Sequence, residues 1–438
     1  MTQFFLYSVF FIFISLSSFL ISSSGSKHIT DINTRKQTPS PDSLQQSTSS
    51  LIFPVSGNVY PDGYYHAELK IGNPPKPYHL DIDSGSDLTW LQCDAPCENC
   101  TPAPHEPYKP RKDVLIKCVD PVCATVNSHA NQPCDNQEEQ CDYQVEYADQ
   151  GVSMGVLVKD VFPLRFAIGD VHDPHLVFGC GYNQEFPNSV HPPYTDGVLG
   201  LSKGKLSIVS QLHDLGLVQN LMGHCLSTKG DGFLFIGDDG VVPSSGVSWL
   251  PNLSNSLENM YFSEHYRIGP ADLLYGRKST GVKGIPLVLD SGSTYSYFTS
   301  DAYGATLSML KKDVKKLKDA EDDGSLPVCW RGSKPFKSIN DVDKYFKPIV
   351  LSFPKAKHAQ IEVPPEAYLI ISEHGNACFG MLNGSEVGLG NFNIIGNNFL
   401  LDKMIIYDNE NQRIGSISSN CHSLPRNEEQ SSYLADEL

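Results

Sequence analysis

A mainly β fold built as two related lobes is the architecture this sequence predicts, on two observations. The tetrapeptide Asp-Ser-Gly-Ser occurs twice, at Asp83 to Ser86 and at Asp290 to Ser293, each time at the end of an apolar, strand-like run. At a similar distance downstream of each copy comes an apolar segment containing a glycine, Gly197-Val198-Leu199-Gly200-Leu201 and Asn393-Ile394-Ile395-Gly396-Asn397. A single Asp-Ser-Gly is an ordinary turn, in which Asp and Ser bond to nearby backbone and Gly supplies a positive φ. Two copies with matching partners indicate an internal repeat in which each lobe brings one carboxylate to a shared site.

The 438 residues, 40% of them hydrophobic, suffice for two sizeable cores. Asp and Glu number 50 against 33 Lys and Arg, which argues against a nucleic-acid partner. At the start of the chain, Phe4 to Ile21 are almost wholly apolar or Ser and give way to polar Ser22 to Lys27. This reads as a cleaved secretory signal over 1–25, although the basic n-region is missing. The run also approaches the ~18 residues that span a bilayer, so an uncleaved anchor stays open, and only then is a membrane partner expected. Residues 26–50 are polar and rich in Ser, Thr, Gln and Pro, as in a short propeptide or linker.

Twelve cysteines behind a secretory signal argue for disulfides. Seven of them, Cys93, Cys97, Cys100, Cys118, Cys123, Cys134 and Cys141, crowd together after the first acid. Cys97-Glu98-Asn99-Cys100 has a zinc or redox spacing but no second pair to match it, so neither metal nor cofactor is expected. Tyr143 to Leu157 reads as strand, turn, strand: a β-hairpin. Inside it, Gly151-Val152-Ser153-Met154-Gly155 fits the nucleophile pattern of serine hydrolases. That pattern needs a helix to follow, and Val156-Leu157-Val158 is strand-like. The basic run Lys311 to Lys318 reads as a solvated amphipathic helix. Asn252-Leu253-Ser254 and Asn383-Gly384-Ser385 are glycan acceptors if exposed, with Asn99-Cys100-Thr101 a weaker candidate. The final Ala435-Asp436-Glu437-Leu438 is similar to an endoplasmic-reticulum retrieval signal, with Ala in its first place.

Two carboxylates held close together cannot both ionise easily; they share a proton and titrate as a pair, one member serving as base and the other as acid. At these residues the chain resembles the pepsin-like aspartic proteases, whose two Asp-Thr/Ser-Gly-Ser/Thr motifs and apolar-apolar-Gly partners match in order and separation. Asp83-Ser84-Gly85-Ser86-Asp87-Leu88-Thr89-Trp90, followed at once by the cysteine-rich stretch, is similar to the nepenthesin-type and nucellin-like plant enzymes. The resemblance runs from about Gly63 to Cys421.

This resemblance implies an all-β, bilobal pepsin-like fold with a few short helices and a central cleft. Its N-terminal lobe would be 51–240, its C-terminal lobe 241–424, with a polar tail at 425–438. It implies that Asp83 and Asp290 hold and activate a water, and that Gly85 and Gly292 let the two turns approach. Ser86 and Ser293 would hold the outer carboxylate oxygens, while Ser84 and Ser291 would link the turns. Tyr147 matches the tyrosine of the flap that closes over substrate, with Trp90 its partner beneath. Ala148 stands where relatives usually have Gly, so a longer or differently turned flap tip is expected. The implied disulfides are Cys329 with Cys378 and Cys225 with Cys421. The function implied is that of a monomeric aspartic endopeptidase acting at acidic pH on peptide or protein substrates, in the cell wall or extracellular space, the vacuole or the endoplasmic reticulum. The alternative is an inactive binding or inhibitor protein on the same scaffold, against which the complete motif set weighs.

Overall fold

Strict alternation along two neighbouring strands sets the first lobe. Tyr65, Ala67, Leu69 and Ile71 of the strand Tyr64–Ile71, and Tyr78, Leu80 and Ile82 of the strand Lys76–Asp83, are buried in one continuous core. The opposite face carries His66, Glu68, His79, Asp81 and Asp83, because successive side chains of a strand point to opposite sides. The two strands pair antiparallel, with His66 opposite Asp81. The computed structural model describes residues 49–96, 99–127, 136, 138–187, 192–253, 264–356 and 359–423.

These strands lie in the middle of a 13-stranded sheet. One edge is the hairpin of Asp142–Glu146 and Val152–Val161. On the other side, Lys403–Asp408 and Arg413–Ser418, from the end of the chain, join Leu221–Leu226 and Ser248–Pro251. The largest sheet is therefore shared by the two halves of the sequence. The second lobe has an eight-stranded sheet around Arg267–Tyr275 and Ile285–Leu289, and a four-stranded sheet that includes Cys329–Arg331 and Ala377–Phe379.

The repeat seen in the sequence has a structural counterpart. The strand ending at Asp83 pairs in parallel with Gly197–Gly200, Ile82 beside Leu199 and Asp83 beside Gly200. The strand Ile285–Leu289, immediately before Asp290, pairs in parallel with Ile394–Ile395. Gly200 and Gly396 lie directly under the turn that follows each acid. A Cβ on Gly200 would strike the Asp87 carbonyl, and one on Gly396 the carbonyls of Tyr295 and Ser293.

The helix Ser300–Asp313 buries Ala302, Thr306 and Leu310, one residue per turn on a single face. It stops short of the solvated helix expected over Lys311 to Lys318. Val314 is 3% exposed and its N–H caps Leu310, after which the chain turns and Lys318–Asp319 becomes a short strand. Burying Val314 ends the helix, although the charge pattern would have let it continue.

Disulfides join Cys93 to Cys180, Cys123 to Cys141, Cys225 to Cys421 and Cys329 to Cys378. Cys100 and Cys118 are also disulfide-bonded, while Cys97 and Cys134 lie outside the described residues. The Cys93–Cys180 bond ties the cysteine-rich stretch to the strand His175–Glu185, a partner the crowding of seven cysteines did not indicate. Cys225–Cys421 spans 196 residues, which in the chain-entropy picture is worth about 5 kcal/mol.

Asn252 is 8% exposed and its Oδ1 accepts from the Arg267 N–H, so the folded chain does not present it to a glycan. Asn383 is half-buried, and its amide caps the turn Gly384–Val387 and bonds Glu386 and Ser300. The apolar run 4–21, the segment 26–48 and the tail 425–438 lie outside the described residues. Among those described, no helix is long and apolar enough to cross a membrane.

Candidate active site

Each Asp-Ser-Gly turn carries its acid off the end of a buried strand and folds back so that local groups grip the carboxylate. The Gly85 N–H donates to Asp83 Oδ1 at 2.7 Å and the Ser86 hydroxyl to Oδ2. The second turn repeats this: the Gly292 N–H donates to Asp290 Oδ1 at 2.9 Å and Ser293 Oγ to Oδ2 at 2.7 Å.

The two turns are locked together reciprocally. The Ser84 N–H donates to Ser291 Oγ at 3.0 Å and the Ser291 N–H to Ser84 Oγ at 2.9 Å. Ser291 Oγ then donates to the Ile82 carbonyl at 2.8 Å and Ser84 Oγ to that of Leu289 at 3.4 Å. Both serines are fully buried, so these bonds are made without competition from water.

The glycines set how closely the acids approach. A Cβ on Gly292 would lie 2.5 Å from Asp83 Oδ1, and one on Gly85 2.6 Å from Asp290 Oδ1. Each turn is thus packed against the carboxylate of the other. Burial, and then the charge of Asp290, hold the Asp83 carboxyl well above the ordinary carboxylate range, while the bonds from Ser86 and Gly85 oppose the shift. The like charge of Asp290 so close by thus favours the protonated form of Asp83.

The hairpin reaches over this pair. Its turn is closed by the Tyr147 N–H to the Gly151 carbonyl at 2.8 Å and by the Gln150 N–H to the Tyr147 carbonyl at 2.9 Å, with Asp149 Oδ1 accepting from the Gly151 N–H. Gln150 takes the positive φ of 70°. Ala148 is therefore not asked to adopt a glycine conformation, which explains why it is tolerated there. Trp90 Nε1 donates to the Tyr147 hydroxyl at 2.6 Å. Burial and then Asp83 push the Tyr147 hydroxyl upward, so it stays protonated beside the acids.

Three other features complete the site. Asp81, two residues before Asp83 on the same strand face, is 7% exposed and held above the carboxylate range by burial, then by Asp83 and Asp290. The signal for it was present in Asp81-Ile82-Asp83, since period-two spacing puts both acids on one face. Asp196, just before the first apolar-Gly segment, accepts from the His79 N–H at 2.6 Å and the His105 N–H at 2.9 Å, and tethers the cysteine-rich stretch to the sheet. Thr294 Oγ1 donates to the Gly63 carbonyl and connects the second turn to the first lobe.

Two alternative sites among the described residues lose their geometry, while the Cys97–Cys100 spacing is not tested because Cys97 lies outside them. Ser153 is 1% exposed, lies within the strand Val152–Val161 and has its Oγ 3.1 Å from the Tyr143 hydroxyl, so it is no exposed nucleophile at a strand-to-helix turn. Asp323, Cys329 and Cys378 cluster closely enough to suggest a metal, but the two sulfurs are bonded to each other.

Comparison with known proteins agrees with this architecture. The family model described as xylanase inhibitor N-terminal matches residues 65–238, and the one described as xylanase inhibitor C-terminal matches 268–416. An aspartic proteinase of Oryza sativa subsp. japonica is 42% identical over 398 residues, covering 88% of this chain and 94% of its own. Aspartic proteinase nepenthesin-2 of Nepenthes gracilis is 24% identical, with 86% of this chain and 82% of its own covered. Among solved structures, the basic 7S globulin of soybean superposes with a TM-score of 0.66 at 16% identity, covering 86% of this chain and 96% of the globulin. The aspartic proteinase of Irpex lacteus gives 0.60 at 17%, covering 86% and 100%. At that identity the two solved structures speak for the fold alone. On the sequence likeness, which extends over both lobes and their paired acids, the chain belongs to the pepsin-like aspartic proteases of plants.

Proposed function

We propose that the protein is an aspartic endopeptidase working in the acidic range. The observation that carries this reading is the reciprocal mounting of Asp83 and Asp290, each gripped by its own Gly N–H and Ser hydroxyl and locked to the other turn through Ser84 and Ser291. Such a pair, sharing one proton, can take a proton from a water held between the carboxyls while the protonated member donates to the scissile carbonyl oxygen. The water adds to the carbonyl carbon to give a tetrahedral gem-diol, and proton return to the amine releases the two peptides without a covalent enzyme intermediate. The grip on each carboxylate keeps the oxygens oriented throughout, so little reorganisation is needed at the moment of reaction. The hairpin carrying Tyr147 would cover an extended substrate from above, steadied by Trp90.

Passage through the secretory pathway is part of this proposal, supported by the disulfides and by the apolar first residues. A binding protein on the same scaffold is the second reading, favoured by the xylanase-inhibitor description of both matching family models. The deciding experiment is cleavage of a denatured test protein across roughly pH 3 to 7, the span in which such a pair titrates, for wild type, Asp83→Asn and Asp290→Asn. Acid-side cleavage abolished in both variants supports the endopeptidase. A folded, processed wild type that cuts nothing supports the binder.

A further inference from the structure

A groove in the second lobe lies apart from the acid pair, and neither the Asp-Ser-Gly turns nor the hairpin lines it. Its volume is about 960 Å³. It rests on one face of the eight-stranded sheet, beside the edge strand Ala359–Val363. Leu274, Val350 and Glu362 are register partners on three neighbouring strands and so share that face. The helix Ser300–Asp313 runs alongside and adds Met309 and Lys312. The floor is thus largely aliphatic, since Tyr275, the aromatic residue that borders it, is 2% exposed.

The rim is cationic. Arg277 and Lys278 come from the turn after the strand Arg267–Tyr275, Lys312 from the last turn of the helix, and Lys347 from the segment before the strand Ile349–Phe353. The Gly276 N–H donates to the Pro348 carbonyl at 2.7 Å, which fixes the turn against that segment. Lys347 is held at both of its backbone groups: its N–H donates to the Tyr275 hydroxyl at 3.1 Å and its carbonyl accepts from the Tyr368 hydroxyl at 2.7 Å, while its Nζ lies 2.6 Å from Asp313. Arg277, Lys278 and Lys312 are exposed and make no ion pair among the described residues. Lys311, Lys315 and Lys316 are exposed as well and extend the charge past the helix end. In a chain of net charge −17, the basic run of the sequence therefore meets a cavity here.

A flat bilayer would touch such a rim without filling the floor, whereas a peptide chain can bring acids to the one and apolar side chains to the other. One segment of this protein has that make-up. Residues 424–438, outside the described residues, hold Glu428, Glu429, Asp436 and Glu437 against Arg426, a net of −3, together with Tyr433, Leu434 and Leu438. Segment 26–48 has the wrong sign, with Lys27, Arg35 and Lys36 against Asp31 and Asp42, a net of +1. The tail follows the strand Arg413–Ser418, which pairs with Ser248–Pro251, and Ser248–Pro251 packs against Ala359–Val363 at the edge of the groove. Its length, about 50 Å when extended, exceeds the ~40 Å width of a lobe of ~200 residues.

We propose that the tail 424–438 docks in this groove, with its acids on Arg277, Lys278, Lys312 and Lys347 and its Tyr and Leu side chains on the floor. The latch is independent of the endopeptidase reading. An acidic segment of another protein enters the groove only by displacing it.

The test is carbodiimide cross-linking of the full chain at low concentration, which joins a carboxylate only to an amine in contact with it, with the joined peptides read by mass spectrometry. Glu428, Glu429, Asp436 or Glu437 should be joined to Lys278, Lys312 or Lys347 within single chains, and not to Lys70 or Lys159 of the first lobe. Lys278→Glu with Lys312→Glu should lower the yield at Lys347 by about fivefold, for two exposed pairs lost, and about 0.5 M NaCl should act in the same direction. Changing the four tail acids to Lys in that double variant should bring joins back at positions 278 and 312. An unchanged Tm, expected because every substituted residue of the groove is exposed, separates loss of docking from loss of folding. Joins spread evenly over lysines of both lobes, or formed only between labelled and unlabelled chains, overturn the proposal, as does a yield at Lys347 that survives the double variant. No joins from the tail at all would overturn it too and leave the groove to an acidic segment of another protein.

Discussion

Gly292→Ala isolates the geometry of the acid pair from its chemistry. Gly292 has no positive φ, so alanine meets no backbone strain, and the only obstacle is its new methyl group. That methyl would lie 2.5 Å from Asp83 Oδ1, 2.7 Å from Cγ and 3.2 Å from Cβ, where ordinary contacts begin at 3.4 Å. The turn and the carboxylate must therefore separate by about 1 Å in an interior that is already close-packed. A displacement of that size at reacting groups costs ~100-fold in rate, equivalent to about 2.7 kcal/mol of barrier. Overpacking adds a stability loss of about 1–3 kcal/mol. The assay is kcat/KM on a peptide substrate, with thermal unfolding of the same samples. Gly304→Ala is the control, because that helical glycine has nothing within 4 Å of its would-be Cβ and should gain about 0.5–1 kcal/mol. A Gly292→Ala enzyme within threefold of wild type would refute the claim that the glycine sets the spacing of the acids.

Three further outcomes are expected. Burial lowers the pKa of His224 from 6.5 to about 4, so its contribution to stability is intact above pH 6.5 and lost as the pH falls toward 4. That gap is worth about 3 kcal/mol, and His224→Gln should flatten the fall in Tm over this range; an unchanged slope would count against the buried neutral imidazole. Asp83 behaves in the opposite sense. With its folded pKa raised, the stability tied to its proton is full below 3.8 and is lost as the pH rises, so Asp83→Asn should have the higher Tm at pH 7 and no advantage near pH 3. Finally, Trp90→Phe removes the 2.6 Å bond to the Tyr147 hydroxyl and should lower kcat/KM by about 2- to 10-fold, the value of one such bond, together with a lower Tm because the smaller ring leaves a cavity in the core cluster that holds Trp90. Equal kcat/KM would mean that Trp90 does not steady the hairpin.

Much of the site was legible in the chain because its parts are local. Asp, Ser, Gly and Ser within one turn determine which N–H and hydroxyl reach which carboxylate oxygen, and the same letters twice predict the same grip twice. The hairpin from Tyr143 to Leu157 was legible for the same reason, since its pairing depends on neighbouring residues. Less legible were features that depend on distant partners. Lys311 to Lys318 looked like one helix, but burial of Val314 ends it at Asp313. Asn252 looked like a glycan acceptor until packing against Arg267 enclosed it. Cys180 gave no sign that it would pair with Cys93, 87 residues away.

By itself the sequence determined that two carboxylates, each on a strand-ending turn and each with an apolar-Gly partner, belong to one repeated design, because turn chemistry and strand periodicity act over a few residues. Only the tertiary structure decided how near the two acids come, that each glycine rests against the other lobe's carboxylate, and that Asp81 is buried without a full set of partners. Those properties arise where segments some two hundred residues apart meet. Proton sharing depends on such distances and on burial, which exist only once the two lobes have packed together.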